Sequence, residues 1–89
     1  MKGFIRLARE SVANHYWENY NPKVMGFEEL KTSDDVFVVW SCKTLQNKKA
    51  ILSSSITGFP LYEFTWNGDK NEGYLDCYKK IDNKVIKGE

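Results

Sequence analysis

His15 is the only histidine in the chain, and Cys42 and Cys77 are its only cysteines. An imidazole beside a thiol can take its proton and leave a nucleophilic sulfur. No spacing here sets either cysteine next to His15, so the fold itself would have to close such a pair. The simpler expectation is a helix histidine and two structural thiols, because free cysteine among apolar residues packs as a small hydrophobe. One disulfide is arithmetically allowed, but two cysteines do not make a disulfide scaffold.

Asp34-Asp35 is a second chemical candidate. Paired carboxylates can share a cation, yet neighbours along a strand point to opposite faces. A solvated turn over Thr32-Ser33-Asp34-Asp35 is therefore expected. The Asp69–Gly73 stretch invites a calcium-loop reading and then departs from it. Gly73 stands where Asp or Asn is needed, and Tyr74 stands where the loop needs glycine. Ser53 and Ser55 lack the turn context of a serine nucleophile, and no phosphate-binding GxxxxGK[ST] segment exists. The expectation is a chain with no catalytic residue, no metal and no cofactor.

The elements that would position any site read as follows. Residues 2–20 predict a helix, with Phe4, Ile5, Ala8, Val12, Tyr16 and Tyr20 on one stripe, joined by Leu7 and Trp17. Asn21-Pro22 stops it, since proline restricts its predecessor and lacks an amide donor. Met25, Phe27 and Leu30 could anchor a short helical turn within 24–33. Residues 36–45 predict a strand with Val36, Val38, Trp40 and Cys42 on one face and Phe37 and Val39 on the other. Its two-sided apolar start predicts a central place in the sheet. A second strand, 49–56, puts Ala50, Leu52, Ser54 and Ile56 on one face. A third, 61–66, alternates Tyr62, Phe64 and Trp66 with Glu63 and Thr65, then meets Asn67-Gly68, a hairpin signal. Residues 71–80 fit a strand better than a helix, and Val85-Ile86 reads as a short edge segment. The fold class is α+β: an N-terminal helix packed on an antiparallel sheet of about four strands, in a single domain over 1–89.

Charge narrows the partners. Thirteen basic and twelve acidic residues leave a formal +1, with no basic tail or acidic run to specify a polyelectrolyte partner. No charged leader precedes a long apolar segment, and no apolar run could span a bilayer. A cytoplasmic protein with no membrane partner is expected. A chain of this mass exposes roughly 5400 Å² when folded and compact, enough for one modest core.

Two binding readings remain. Tyr62, Phe64 and Trp66 could stack single-stranded bases, with Lys48, Lys49, Lys70, Lys79 and Lys80 on phosphates. The same aromatics could instead be the core beneath the helix, which needs a large apolar surface to cover. Protein binding suits the mixed charge better: Trp66, Asp69, Lys70, Tyr74 and Tyr78 would offer aromatic anchors in a polar rim. An exposed aromatic face would equally serve a homodimer.

The segments VFVVWSCKTLQNKKAILSSS at 36–55 and YEFTWNGDKNEGYLDCYKK at 62–80 resemble an uncharacterised family of small proteins from bacteriophages and prophages of Gram-positive bacteria. Val39-Trp40-Ser41-Cys42-Lys43 and Trp66-Asn67-Gly68-Asp69-Lys70 carry the likeness most clearly. The resemblance implies a phage accessory protein acting inside a bacterial host. With the residue-level reading above, the expectation is a non-enzymatic protein of the host cytoplasm that acts through an unidentified host or phage protein.

Overall fold

The computed structural model describes residues 3–20, 29–79 and 84–88. One helix, α1 (Phe4–Asn19), lies on one side of a four-stranded antiparallel sheet: β1 (Val36–Thr44), β2 (Asn47–Ser54), β3 (Leu61–Asn67) and β4 (Glu72–Tyr78). The strands follow chain order across the sheet, so each pairs with its predecessor and β1 and β4 are the edges. The predicted α+β meander is what the chain forms, and residues 71–80 do carry a strand.

The helix forms where the apolar spacing asks for it. Ala8, Val12, Ala13 and Tyr16 are its buried positions, spaced at three, four and one residues along a single face. Arg6 and Glu10 pair one turn apart on the flank of that face, at 3.2 Å. Its end is held by local hydrogen bonds: the Tyr20 amide donates to Tyr16 O at 2.8 Å, and the Asn19 side chain donates to His15 O at 2.9 Å. Trp17 is half-exposed; its indole N–H donates to the carbonyl of buried Leu30.

The core is the single layer between helix and sheet. Val36, Ala50, Leu52, Tyr62 and Phe64 supply the sheet side of it. Tyr16 stacks between Tyr20 and Phe59, with ring centroids 5.0 and 4.6 Å away. Such offset aromatic stacks add to the burial of apolar area. Gly73 sits on this side of β4, where a Cβ would lie 2.6 Å from Phe64 Cζ. The missing side chain is what lets the Phe64 ring cross to the last strand.

Thr32 closes the entry to the sheet. Its hydroxyl accepts from the Asp34 amide at 3.2 Å, and the Asp35 carboxylate accepts from the Thr32 amide at 3.3 Å, a reciprocal cap on the 3-10 turn Ser33–Asp35. The Asp34-Asp35 pair thus serves the turn. Buried Ser54 donates its hydroxyl to Asp35 O at 2.9 Å, tying the end of β2 to the start of β1.

Four expectations need correction. The first concerns the face pattern of β1. Val38 pairs with Leu52, but Trp40 pairs with Ile51, so Val39 is an extra residue in a β-bulge. The register step carries Trp40 and Cys42 to the side away from the helix, where plain alternation would have put them beneath it. Second, β1 lies at an edge and not in the centre: its two-sided apolar start is covered on one side only. Third, the left-handed residue of the β3–β4 turn is Asn71, at φ 53°, not Asn67-Gly68. Asn67 instead accepts from the amides of Asp69 and Lys70 at 3.1 and 3.2 Å, making a four-residue loop between Asn67 and Glu72. Gly68 is required for space, since a Cβ there would collide with the Gln46 backbone in the β1–β2 turn. Fourth, Val85 and Ile86 are exposed and in no strand. The helical turn expected around Met25 and Phe27 falls outside the described residues.

The molecule is flat. It measures 43 × 41 × 18 Å with a radius of gyration of 14.8 Å, against about 12 Å for a compact chain of this length. The short dimension is one helix laid on one sheet. Among the described helices and strands, α1 packs on one face of the sheet only.

Candidate functional site: the uncovered sheet face

Alternation sends every second residue of each strand to the uncovered side. In the middle of the sheet one row runs Trp40, Ile51, Glu63, Asp76, and the next runs Cys42, Lys49, Thr65, Tyr74. Phe37, Leu61 and Tyr78 extend the face toward the opposite end. Phe37, Trp40, Leu61, Tyr74 and Tyr78 are each between 44% and 50% exposed. That is high for large apolar and aromatic side chains in regular strands; Phe37 and Trp40 lie on β1, Leu61 and Tyr78 pair across β3 and β4, and Tyr74 lies beyond Asp76 on β4.

The polar groups on this face are ordered. Lys49 Nζ lies 3.2 Å from Glu63 Oε1 across the β2–β3 ladder. Tyr74 donates its hydroxyl to Glu72 Oε2 along β4. That hydrogen bond, with a little desolvation and the carboxylate's own charge, raises the Tyr74 phenol above its ordinary range. Glu63, Glu72 and Asp76 against Lys49 give the face a formal −2. The acids gather on β3 and β4, while β1 contributes Phe37, Trp40 and the exposed thiol of Cys42.

The predicted protein-binding set divides over this geometry. Tyr74 and Tyr78 lie on the uncovered face. Trp66 lies on the helix side, half-buried against the core, and Asp69 and Lys70 sit on the β3–β4 turn. Phe37, Trp40 and Leu61 were missed. Trp40 was missed because nothing in Val38-Val39-Trp40 signals a bulge, and Leu61 because it is a lone apolar residue at the start of its strand, followed on the same face by Glu63 and Thr65.

The predicted base-stacking set does not form a platform. Tyr62 and Phe64 are 0% and 4% exposed beneath the helix. The lysines scatter: Lys48 approaches the Phe4 ring at 5.8 Å and Lys79 the Tyr20 ring at 5.3 Å, both toward the helix side, while Lys49 is on the uncovered face and Lys70 on the turn. Lys80 lies outside the described residues.

A second feature lies at the end of the helix. His15 Nδ1 and Tyr62 OH are 2.9 Å apart, and Tyr20 OH lies 3.8 Å from Cys77 Sγ. Burial, reinforced by the neighbouring Cys77 sulfur, pushes the Tyr20 phenol up to about 12 and raises that of Tyr62 further still. These phenols stay protonated at neutral pH and serve as hydrogen-bonding groups. His15 and Cys77 line one recess of about 520 Å³ with Asn19, Tyr20, Tyr78 and Lys79. In it His15 Nδ1 is engaged with Tyr62 and the Cys77 thiol with Tyr20. No acid is among the described residues lining it, and no group of three potential metal ligands occurs among the described residues.

No described helix is long and apolar enough to cross a membrane. No curated protein and no solved structure shows significant similarity to the chain. A family model does match it over residues 5–88, nearly its whole length and including every strand of the uncovered face. The chain belongs to the family of unknown function DUF6275.

Proposed function

We propose that the chain is a non-enzymatic interaction protein that presents the uncovered sheet face to another polypeptide. One observation carries the reading: among the described residues the sheet is covered by α1 on one side only, and the bare side carries half-exposed Phe37, Trp40, Leu61, Tyr74 and Tyr78 around the Lys49–Glu63 ion pair. Half-exposed Trp and Tyr flanked by carboxylates are the residue types that anchor protein interfaces. The formal −2 of the face is the wrong sign for phosphates. The resemblance of residues 36–55 and 62–80 to small phage and prophage proteins extends the proposal to a phage accessory role in the cytoplasm of a Gram-positive host.

The test is affinity capture from a Gram-positive lysate, with and without nuclease, using the tagged wild-type chain and the triple variant Phe37→Ser, Trp40→Ser, Tyr78→Ser. Circular dichroism first establishes that the variant is folded. A nuclease-resistant protein captured by the wild type and lost by the folded variant is the expected result. Equal capture by both would remove this face from consideration, and enrichment abolished by nuclease would transfer the reading to nucleic acid.

A further inference from the structure

We infer that the occupant of the uncovered face is a second copy of this chain, packed sheet to sheet about a two-fold axis running parallel to the strands between β2 and β3. The inference rests on the docking role proposed for that face and names its partner.

Area is the first argument. The chain exposes 6738 Å², about 1300 Å² more than a compact monomer of its mass. A stable interface of standard size removes about 800 Å² from each partner, and a four-stranded face rimmed by large side chains is the broadest continuous surface available for it.

Charge distribution is the second argument, and it selects the axis. Two identical sheets can stack face to face about an in-plane axis either across the strands or along them. An axis across the strands lays β4 on the partner's β4 and brings Glu72 and Asp76 of both copies together. An axis along the strands lays β4 on the partner's β1, whose face carries Phe37, Trp40 and Cys42 and no charge. The Trp40 indole N–H then meets the row that holds Asp76 in the other copy. The same axis lays β2 on the partner's β3, so that each Lys49 comes within side-chain reach of the opposite Glu63. The intramolecular pairs of the two copies, each at 3.2 Å, then meet about the axis, with each Lys49 one row from the opposite Glu63 and level with the opposite Lys49, so that the four charges together are neutral. The packing is self-complementary, as an isologous interface must be.

The test is sedimentation equilibrium of the full chain over a wide concentration range, for the wild type, Lys49→Glu, Glu63→Lys and a one-to-one mixture of the two variants. Each variant alone sets like charges against one another at two places across the axis. Its self-association is expected to weaken by about 30-fold or more, in line with the cost of like-charge contacts at interfaces. The mixture restores opposite charges across the axis while the internal pair stays broken in both chains, so it is expected to return to within a few-fold of wild type. A mixture no tighter than its components would overturn the inference.

Maleimide labelling of wild-type Cys42 supplies a readout that needs no substitution. Its rate falls as the dimer fills if the interface is this face; a rate independent of concentration across the dimer transition would place the dimer elsewhere. A wild type that stays monomeric throughout would also overturn the second-copy inference. The docking proposal would nonetheless survive if the folded Phe37, Trp40, Tyr78 triple variant still lost its captured protein, so the two failures can be told apart.

Discussion

Trp40 and Ile51 face each other across the β1–β2 ladder on the side of the sheet that the helix leaves bare. Val38 pairs with Leu52 on the covered side, and Val39 absorbs the step between them. A single unpaired residue in an edge strand thus decides whether a tryptophan faces the core or the bare side of the sheet.

That assignment makes a deletion test with an unusual sign. Removing Val39 takes out the bulge and leaves Trp40 opposite Ile51, so the chain is expected to fold with a stability within about 1 kcal/mol of wild type by urea denaturation. Removing Glu63 instead shifts the rest of β3 by one and turns Phe64 and Trp66 out of the core. That variant is expected to lose several kcal/mol or fail to fold. Equal damage from the two deletions would contradict the register.

Leu45 occupies the left-handed region at φ 56° in the β1–β2 turn while 82% exposed. A branched side chain there costs roughly 1 kcal/mol that asparagine largely avoids. Leu45→Asn is expected to raise the urea midpoint, by about 0.5–1 kcal/mol of stability. A lowered midpoint would show that Leu45 packs on something in solution.

Gly68 and Gly3 separate space from conformation. A methyl group at Gly68 would run into Gln46 backbone atoms, whereas Gly3 has nothing within 4 Å. Gly68→Ala is expected to cost about 1–3 kcal/mol, the range for forced repacking, and Gly3→Ala to stay within about 0.5 kcal/mol. Comparable effects at both sites would mean that the two turns do not abut.

Tyr20 and Tyr62 predict how stability responds to alkali. Their folded phenols hold protons more tightly than the unfolded ones, which ionise near 10. Above that value the native state binds more protons than the unfolded state, so stability falls with rising pH. The contribution is fully present below about pH 10 and, for Tyr20, is lost progressively as pH rises through about 12. Urea midpoints at pH 8, 10 and 11 are expected to show this fall, and a smaller one in the Tyr20→Phe, Tyr62→Phe variant. A fall of equal size in that variant would assign the alkaline transition to other groups.

Much of the fold was legible because it is local. The apolar spacing through Ala8, Val12 and Tyr16 marks α1, and the alternation of Tyr62, Phe64 and Trp66 marks β3 and its buried side. What stayed hidden depends on pairing partners. Val39 carries no sign of being the extra residue, because its identity suits either face and only the register with β2 distinguishes them. The edge position of β1 was misjudged for a related reason: apolar residues on both faces suggest two covers, but they do not say which strands flank β1, and that depends on pairing. In the β3–β4 turn, the side chain of Asn67 does the work that was expected of its backbone, and Asn71 takes the left-handed position. The docking surface was half found, since Tyr74 and Tyr78 follow from alternation alone while Trp40 does not.

The thinness of the molecule carries one further consequence. With a single packed layer 18 Å across, the chain has little apolar burial to set against the entropy of ordering itself. Whatever binds the folded form then supplies stability by mass action, about 2.7 kcal/mol when its free concentration is a hundred times the dissociation constant. If the proposed partner seats on the sheet, the melting temperature rises with its concentration and becomes a property of the solution as well as of the sequence.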